Sequence, residues 1–99
     1  MGGLTEILND IDVARGYIHG LMKELDDSDH ISALLYGSMV LLACAEDEFC
    51  GRYNPPTVKN TLGGAMYRLA CASSIAWHEN DEESHKVIAD ATDMLRSIL

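Results

Sequence analysis

Residues 4–25 read LTEILNDIDVARGYIHGLMKEL, and their apolar members Leu4, Ile7, Ile11, Ala14, Ile18, Leu21 and Leu25 follow alternating steps of three and four. Because 3.6 residues complete a helical turn, such steps lay the apolar side chains along one stripe of an amphipathic helix. The pattern returns as Ile31, Leu34, Ser38, Leu41 and Ala45, as Val58, Leu62, Ala65, Leu69, Ala72 and Ala76, and as Ile88, Ala91, Leu95 and Ile98. No sustained apolar–polar alternation suggests a strand. Four stripes predict four helices.

Punctuation between the stripes sets the expected boundaries. Helix one is expected from Thr5 to Leu25, with Thr5 as N-cap and Glu6 beside the positive helix start. Gly16 and Gly20 weaken its second half, and their shared stripe suggests that another backbone packs closely there. Asp26-Asp27-Ser28-Asp29 is rich in capping residues, so helix two is expected from Asp29 or His30 to Cys50 or Gly51. The break Asn54-Pro55-Pro56-Thr57 places the start of helix three near Pro56, and it should run to His78. Asn80 with Glu83 has capping-box spacing, and helix four is expected from Asp81 to Ser97. Connections this short make consecutive helices antiparallel neighbours. The fold expected for residues 1–99 is therefore one all-α domain, an antiparallel up-down-up-down four-helix bundle.

Composition narrows the function. Sixteen acidic against seven basic residues give a net charge of −9, which argues against direct contact with nucleic-acid phosphates. Three cysteines without a CxxC do not form a disulfide framework, so a reducing cytoplasm is the expected compartment. Cys44 and Cys71, inside apolar runs, read as core residues, and Cys50 as more exposed. The start of the chain lacks a basic segment followed by an apolar one, and the longest apolar run, Met39 to Ala45, is far too short for a membrane span.

Up-down-up-down topology places the turn after helix one and the turn after helix three at the same end. That end gathers Asp26, Asp27, Asp29, Glu79, Asp81, Glu82 and Glu83, together with His30, His78 and His85, while Glu46-Asp47-Glu48 at the other end is partly offset by Arg52 and Lys59. The seven carboxylates form the expected binding surface for a basic protein. An alternative use of this end is to hold a small ligand or a divalent metal, since Asp81 and His85 are spaced to share one ion. Di-iron bundles use two Glu-x-x-His motifs, however, and only Glu82-x-x-His85 occurs here, so no metal or other cofactor is assigned. Nucleophilic catalysis has no cysteine with a histidine close in sequence, and acids on exposed turns lack the pocket that separates the pKa values of an acid–base pair.

Asp27-Ser28 ahead of an acidic helix resembles the start of the second helix in acyl carrier proteins. Asp29 stands where that family has leucine, the long first loop is missing, and helices three and four are too long, so the chain is not assigned to that family. Gly37, Ser38, Ala45, Gly63, Gly64, Ala70, Ser73 and Ser74 give helices two and three a small-residue surface suited to close packing, self-association or a ligand cavity. Tyr17, Tyr36, Tyr53, Tyr67 and Trp77 would be its anchors. Helix two also has too little polar surface for a solvated flank, which points to a homodimer or higher homo-oligomer. The expected protein is a small, acidic, non-enzymatic interaction module, an inhibitor or regulator such as a phage or mobile element encodes.

Overall fold

The computed structural model describes residues 3–26, 29–51 and 55–98. Four helices, α1 (Leu4–Met22), α2 (His30–Cys50), α3 (Pro55–His78) and α4 (Glu82–Arg96), form the expected all-α bundle, with no strand among the described residues. Each helix packs against its neighbours in sequence and α1 closes against α4, whereas the backbones of the diagonal pairs stay further apart among the described residues. The interface of α2 with α3 is the broadest.

The stripe of α3 is buried as its spacing predicts: Val58, Leu62, Ala65, Leu69, Ala72 and Ala76 all lie in the core. On α1 the buried members are Ile11, Ala14, Ile18 and Leu21, and on α4 they are Ile88, Ala91 and Leu95. On α2 Ile31, Ser38 and Ala45 are buried as expected, but Leu35 and Leu42 take the places of Leu34 and Leu41. Its core face is Ile31, Leu35, Ser38, Leu42, Ala45 and Phe49, while Leu34 and Leu41 are only partly buried. With apolar residues on nearly every side of α2, spacing alone could not choose between two adjacent stripes. The choice was made by the need to face both α1 and α3.

Buried and half-buried polar groups join the helices. Ser38 Oγ lies 3.0 Å from the Leu34 carbonyl of its own helix and 3.3 Å from the Ala65 carbonyl of α3. So short a reach across two helices requires small side chains where they cross. Arg15 on α1 is paired with Glu46 on α2 at 2.9 Å, and Thr61 on α3 donates to Glu48 on α2 at 3.0 Å.

Helix ends depart from expectation in instructive ways. The N-cap of α1 is Gly3, not Thr5, and no side chain caps it. After Met22 the chain tightens into i to i+3 bonds, Glu24 to Leu21 and Leu25 to Met22, so the last expected turn of helix one is not α-helical. Asp29 caps α2, its Oδ1 accepting from Ile31 N–H at 2.9 Å. At the end of α3, Asn80 takes φ 60°, its N–H donates to the Trp77 carbonyl, and Asp81 N–H donates to the Ala76 carbonyl at 2.9 Å. This is a Schellman closure with asparagine in the left-handed position. Asn80 therefore ends α3 instead of capping α4, and Asp81 is the N-cap. Helix α4 ends at Arg96 with Ser97 as its C-cap, and α3 starts one residue earlier than expected. Arg52, Tyr53 and Asn54 lie outside the described residues.

Gly16 and Gly20 do not receive a second backbone: a Cβ added to either would meet nothing within 4 Å. Alanine at each position should therefore stabilise the protein by about 0.5–1 kcal/mol, by removing unfolded-state freedom and raising helix propensity, as chemical denaturation would measure. The register of α2 gives a second expectation. Leu42→Ala should cost about 3 kcal/mol, a usual figure for a fully buried leucine, and Leu41→Ala less than half of that. Equal losses at the two positions would contradict the observed register.

Candidate functional site

At the end of the bundle where α1 and α3 finish and α2 and α4 begin, the acidic side chains have two kinds of role. Asp29 and Asp81 are partly buried capping residues. Asp81 accepts from Ser84 Oγ at 2.6 Å and from Ser84 N–H at 3.0 Å. These bonds, the side-chain one foremost, hold its carboxyl below the ordinary aspartate value, and slight burial opposes them. Asp26, Glu79, Glu82 and Glu83 are exposed, and Asp27 lies outside the described residues. Glu82 and Glu83 sit in the first turn of α4, where the helix dipole favours them. Glu79 follows the C-terminal end of α3, where it does not. Glu24, just past α1, is likewise exposed at a C-terminal end.

None of these exposed glutamates takes part in the ion pairs found among the described residues, which join Arg15 to Glu46, Lys86 to Asp90 and Arg96 to Asp93. The topology thus assembles an end where acidic side chains outnumber the nearby cations Lys23 and Lys86, the second of which is paired with Asp90. Two depressions open on it. One, of about 260 Å³, lies between α1 and α4 and is lined by Gly16, Tyr17, Gly20, Leu21, Val87 and the two glutamates Glu24 and Glu83. The other, of about 160 Å³, lies beside the Schellman turn at Ala76, Trp77, Asn80, Asp81 and Glu82. Both are smaller than the roughly 300 Å³ at which ordinary small-molecule sites begin.

The histidines of this end do not converge. His30 and His78 are exposed at helix ends. His85 Nδ1 lies 2.8 Å from Ser73 Oγ and 3.2 Å from the Ser73 carbonyl, and its ring packs against Trp77 with centroids 5.3 Å apart. His85 is thereby engaged in the α3–α4 contact, as Asp81 is in its cap. No three histidine, cysteine, aspartate or glutamate side chains are grouped to hold an ion among the described residues.

Away from the core, α2 exposes a stripe of Ala33, Tyr36, Val40 and Cys44, and α3 one of Asn60, Gly63, Tyr67, Ala70, Ser74 and Trp77, again in steps of three and four, with Trp77 turned toward His85 of α4. Tyr36, Tyr67 and Trp77 are each at least 65% exposed. Cys44, expected in the core, belongs to the exposed stripe of α2, and Cys71 is only partly buried. The expected small-residue surface is divided by the fold. Ser38 and Ala45 are core, Ser73 holds His85, and Gly37 and Gly64 make room for Arg68 and Leu41 in the groove between the helices. Only Gly63, Ala70 and Ser74 remain on the exposed stripe of α3. That stripe was present in the sequence as a second set of three-and-four steps, hidden by the more hydrophobic core stripe beside it.

No protein-family model matches the chain, and neither the curated proteins nor the solved structures contain a significant relative. None of the described helices is long and apolar enough to cross a membrane.

The cap at Asp81 can be tested directly. Asp81→Ala should lower stability by about 1 kcal/mol at neutral pH, as loss of an N-cap does. A carboxyl whose pKa is depressed by folding stabilises the native state above its unfolded pKa, about 3.9 for aspartate. That contribution disappears as pH falls through the folded value. The gap between parent and variant in thermal melts should therefore be constant from pH 7 to 5 and shrink below pH 4.

Proposed function

We propose that this chain is a non-enzymatic protein-interaction module, a cytoplasmic inhibitor or regulator that self-associates and binds a basic protein through its acidic end. The observation that carries this reading is the group of exposed glutamates that take part in no ion pair among the described residues. Capping accounts for Asp29 and Asp81, and dipole complementarity for Glu82 and Glu83. Neither accounts for Glu24 and Glu79, which add negative charge at helix C-terminal ends. A surface kept acidic where helix chemistry does not favour it is suited to steering a positively charged partner.

The depression between α1 and α4 gives that attraction a shape. A lysine or arginine side chain can lay its aliphatic stem along Leu21, Tyr17 and Val87 and bring its cation to Glu24 and Glu83. The glycines that line the depression keep it open. Recognition by a few long cationic side chains is the mode that fits these dimensions.

The test is a variant with Glu24, Glu79, Glu82 and Glu83 all changed to glutamine, which leaves both capping aspartates in place. Its stability should stay within about 1 kcal/mol of the parent, because relief of repulsion offsets the lost dipole interactions. A basic protein captured from the source cells by the parent should associate more slowly with the variant. The deficit should narrow as salt rises from about 0.05 to 0.5 M, as screening shortens from more than 10 Å to a few ångströms. Equal association rates at low salt would reduce the acidic end to a solubility feature.

A further inference from the structure

We infer that the depression between α1 and α4 seats a lysine side chain of the basic partner, in preference to arginine. The inference rests on the reading above, that the acidic end binds a basic protein, and adds the place and the residue type. It starts from the glycines of the helices. Gly37 and Gly64 have neighbours within the chain, since a Cβ at Gly37 would lie 3.2 Å from Arg68 Cδ and one at Gly64 3.4 Å from Leu41 Cδ1. Gly16 and Gly20, one turn apart on α1, have no such neighbour, and each weakens its helix. Open space by itself marks no site, because Gly63 on α3 is equally open. What sets Gly16 and Gly20 apart is that they line one depression with apolar Leu21 and Val87 and with the carboxylates of Glu24 and Glu83.

This lining states the chemistry of the occupant. Leu21, Val87 and the ring of Tyr17 offer apolar contact, so the occupant has an aliphatic part. Glu24 and Glu83 are exposed and join none of the ion pairs among the described residues, so it also carries positive charge. The nearby cations of the chain itself, Lys23 and Lys86, do not line the depression, and Lys86 is paired with Asp90. An apolar stem with a cationic head meets both demands.

Two features favour lysine. Glu24 follows α1 and Glu83 belongs to α4, so the carboxylates are carried by different elements. An ammonium has three rotatable donors and can divide them between two such groups, whereas the planar guanidinium fork is matched to a single carboxylate. The longer methylene stem of lysine also covers more of the apolar lining.

The probes are octalysine and octa-arginine peptides, titrated into isotope-labelled protein at low salt and followed by NMR. Octalysine should shift the amide signals of Gly16, Gly20 and Val87 most, and less as salt is raised. Gly20→Leu fills the depression without changing charge. It should raise thermal stability, because leucine is the better helix former and nothing obstructs its Cβ. It should nevertheless weaken octalysine binding about fivefold, the size of one good charge contact at a partly exposed site. Gly20→Ala, a smaller filling, should fall between the two. Gly63→Leu should raise stability in the same way and bind octalysine like the parent, and octa-arginine should bind the parent and Gly20→Leu alike. No octalysine binding, unchanged binding by Gly20→Leu, or an equal loss in Gly63→Leu would overturn the depression as the seat. An equal loss for octa-arginine would overturn the preference for lysine. If the glutamine variant above loses octalysine and Gly20→Leu does not, the acidic end stands without the depression.

Discussion

The close approach of α2 to α3 is the constraint on which the rest of the bundle depends. Few residues are aromatic, and Phe49 is the one aromatic side chain in the described core, so the interior cannot be filled by large rings. It is filled instead by leucine and isoleucine from all four helices, set against the alanines of α3 and the Ser38 and Ala45 positions of α2. Small residues at the crossing bring Ser38 Oγ within 3.3 Å of the Ala65 carbonyl on the neighbouring helix. A larger side chain at either place would separate the helices and open voids around Leu42 and Leu69, which interiors packed at crystal density do not tolerate.

That approach also determines the surface. When α2 turns Leu35, Ser38 and Leu42 inward, the residues a third of a turn or more away, Tyr36, Val40 and Cys44, are carried to the outside. Helix α3, with its alanine-rich stripe inward, carries Tyr67 and Trp77 outward in the same way. Along α2 and α3 the described charged residues are few, Glu46, Asp47 and Glu48 at the end of α2 and Lys59 and Arg68 on α3. Most charges of the chain are left to α1, to α4 and to the connections, which leaves one end of the bundle strongly acidic.

The junction between α3 and α4 shows how structure and surface charge are combined in a few residues. Asn80 in the left-handed conformation closes α3, and the next residue, Asp81, opens α4. A single residue thus separates the closing turn of one helix from the first turn of the next, and fixes the direction in which α4 returns. Ser84, buried and bonded twice to Asp81, fastens the turn to the core. The side chains of the glutamates around this junction, Glu79, Glu82 and Glu83, are exposed and take part in none of the ion pairs among the described residues.

Much of this was legible in the sequence, because three-and-four spacing and turn chemistry are local properties. Four helices, their order, their antiparallel packing, the core stripe of α3 and the acidic end all follow from residue type and spacing within short windows. What the sequence could not decide were choices between equivalent local options. Helix α2 is apolar on nearly every side, so whether Leu41 or Leu42 is buried depends on where α1 and α3 lie. Asn80 and Asp81 are both good capping residues, and only the return of the chain toward Ala76 assigns one to each helix. Gly16 and Gly20 looked like a place for a second backbone, but the spacing of α1 and α4 leaves them open, beside Glu24 just past α1 and Glu83 of α4. Local patterns determine which segments become helices and which sides of them are apolar. Only the packed helices determine which of two apolar sides is buried, because that depends on the distance and direction of neighbours remote in sequence.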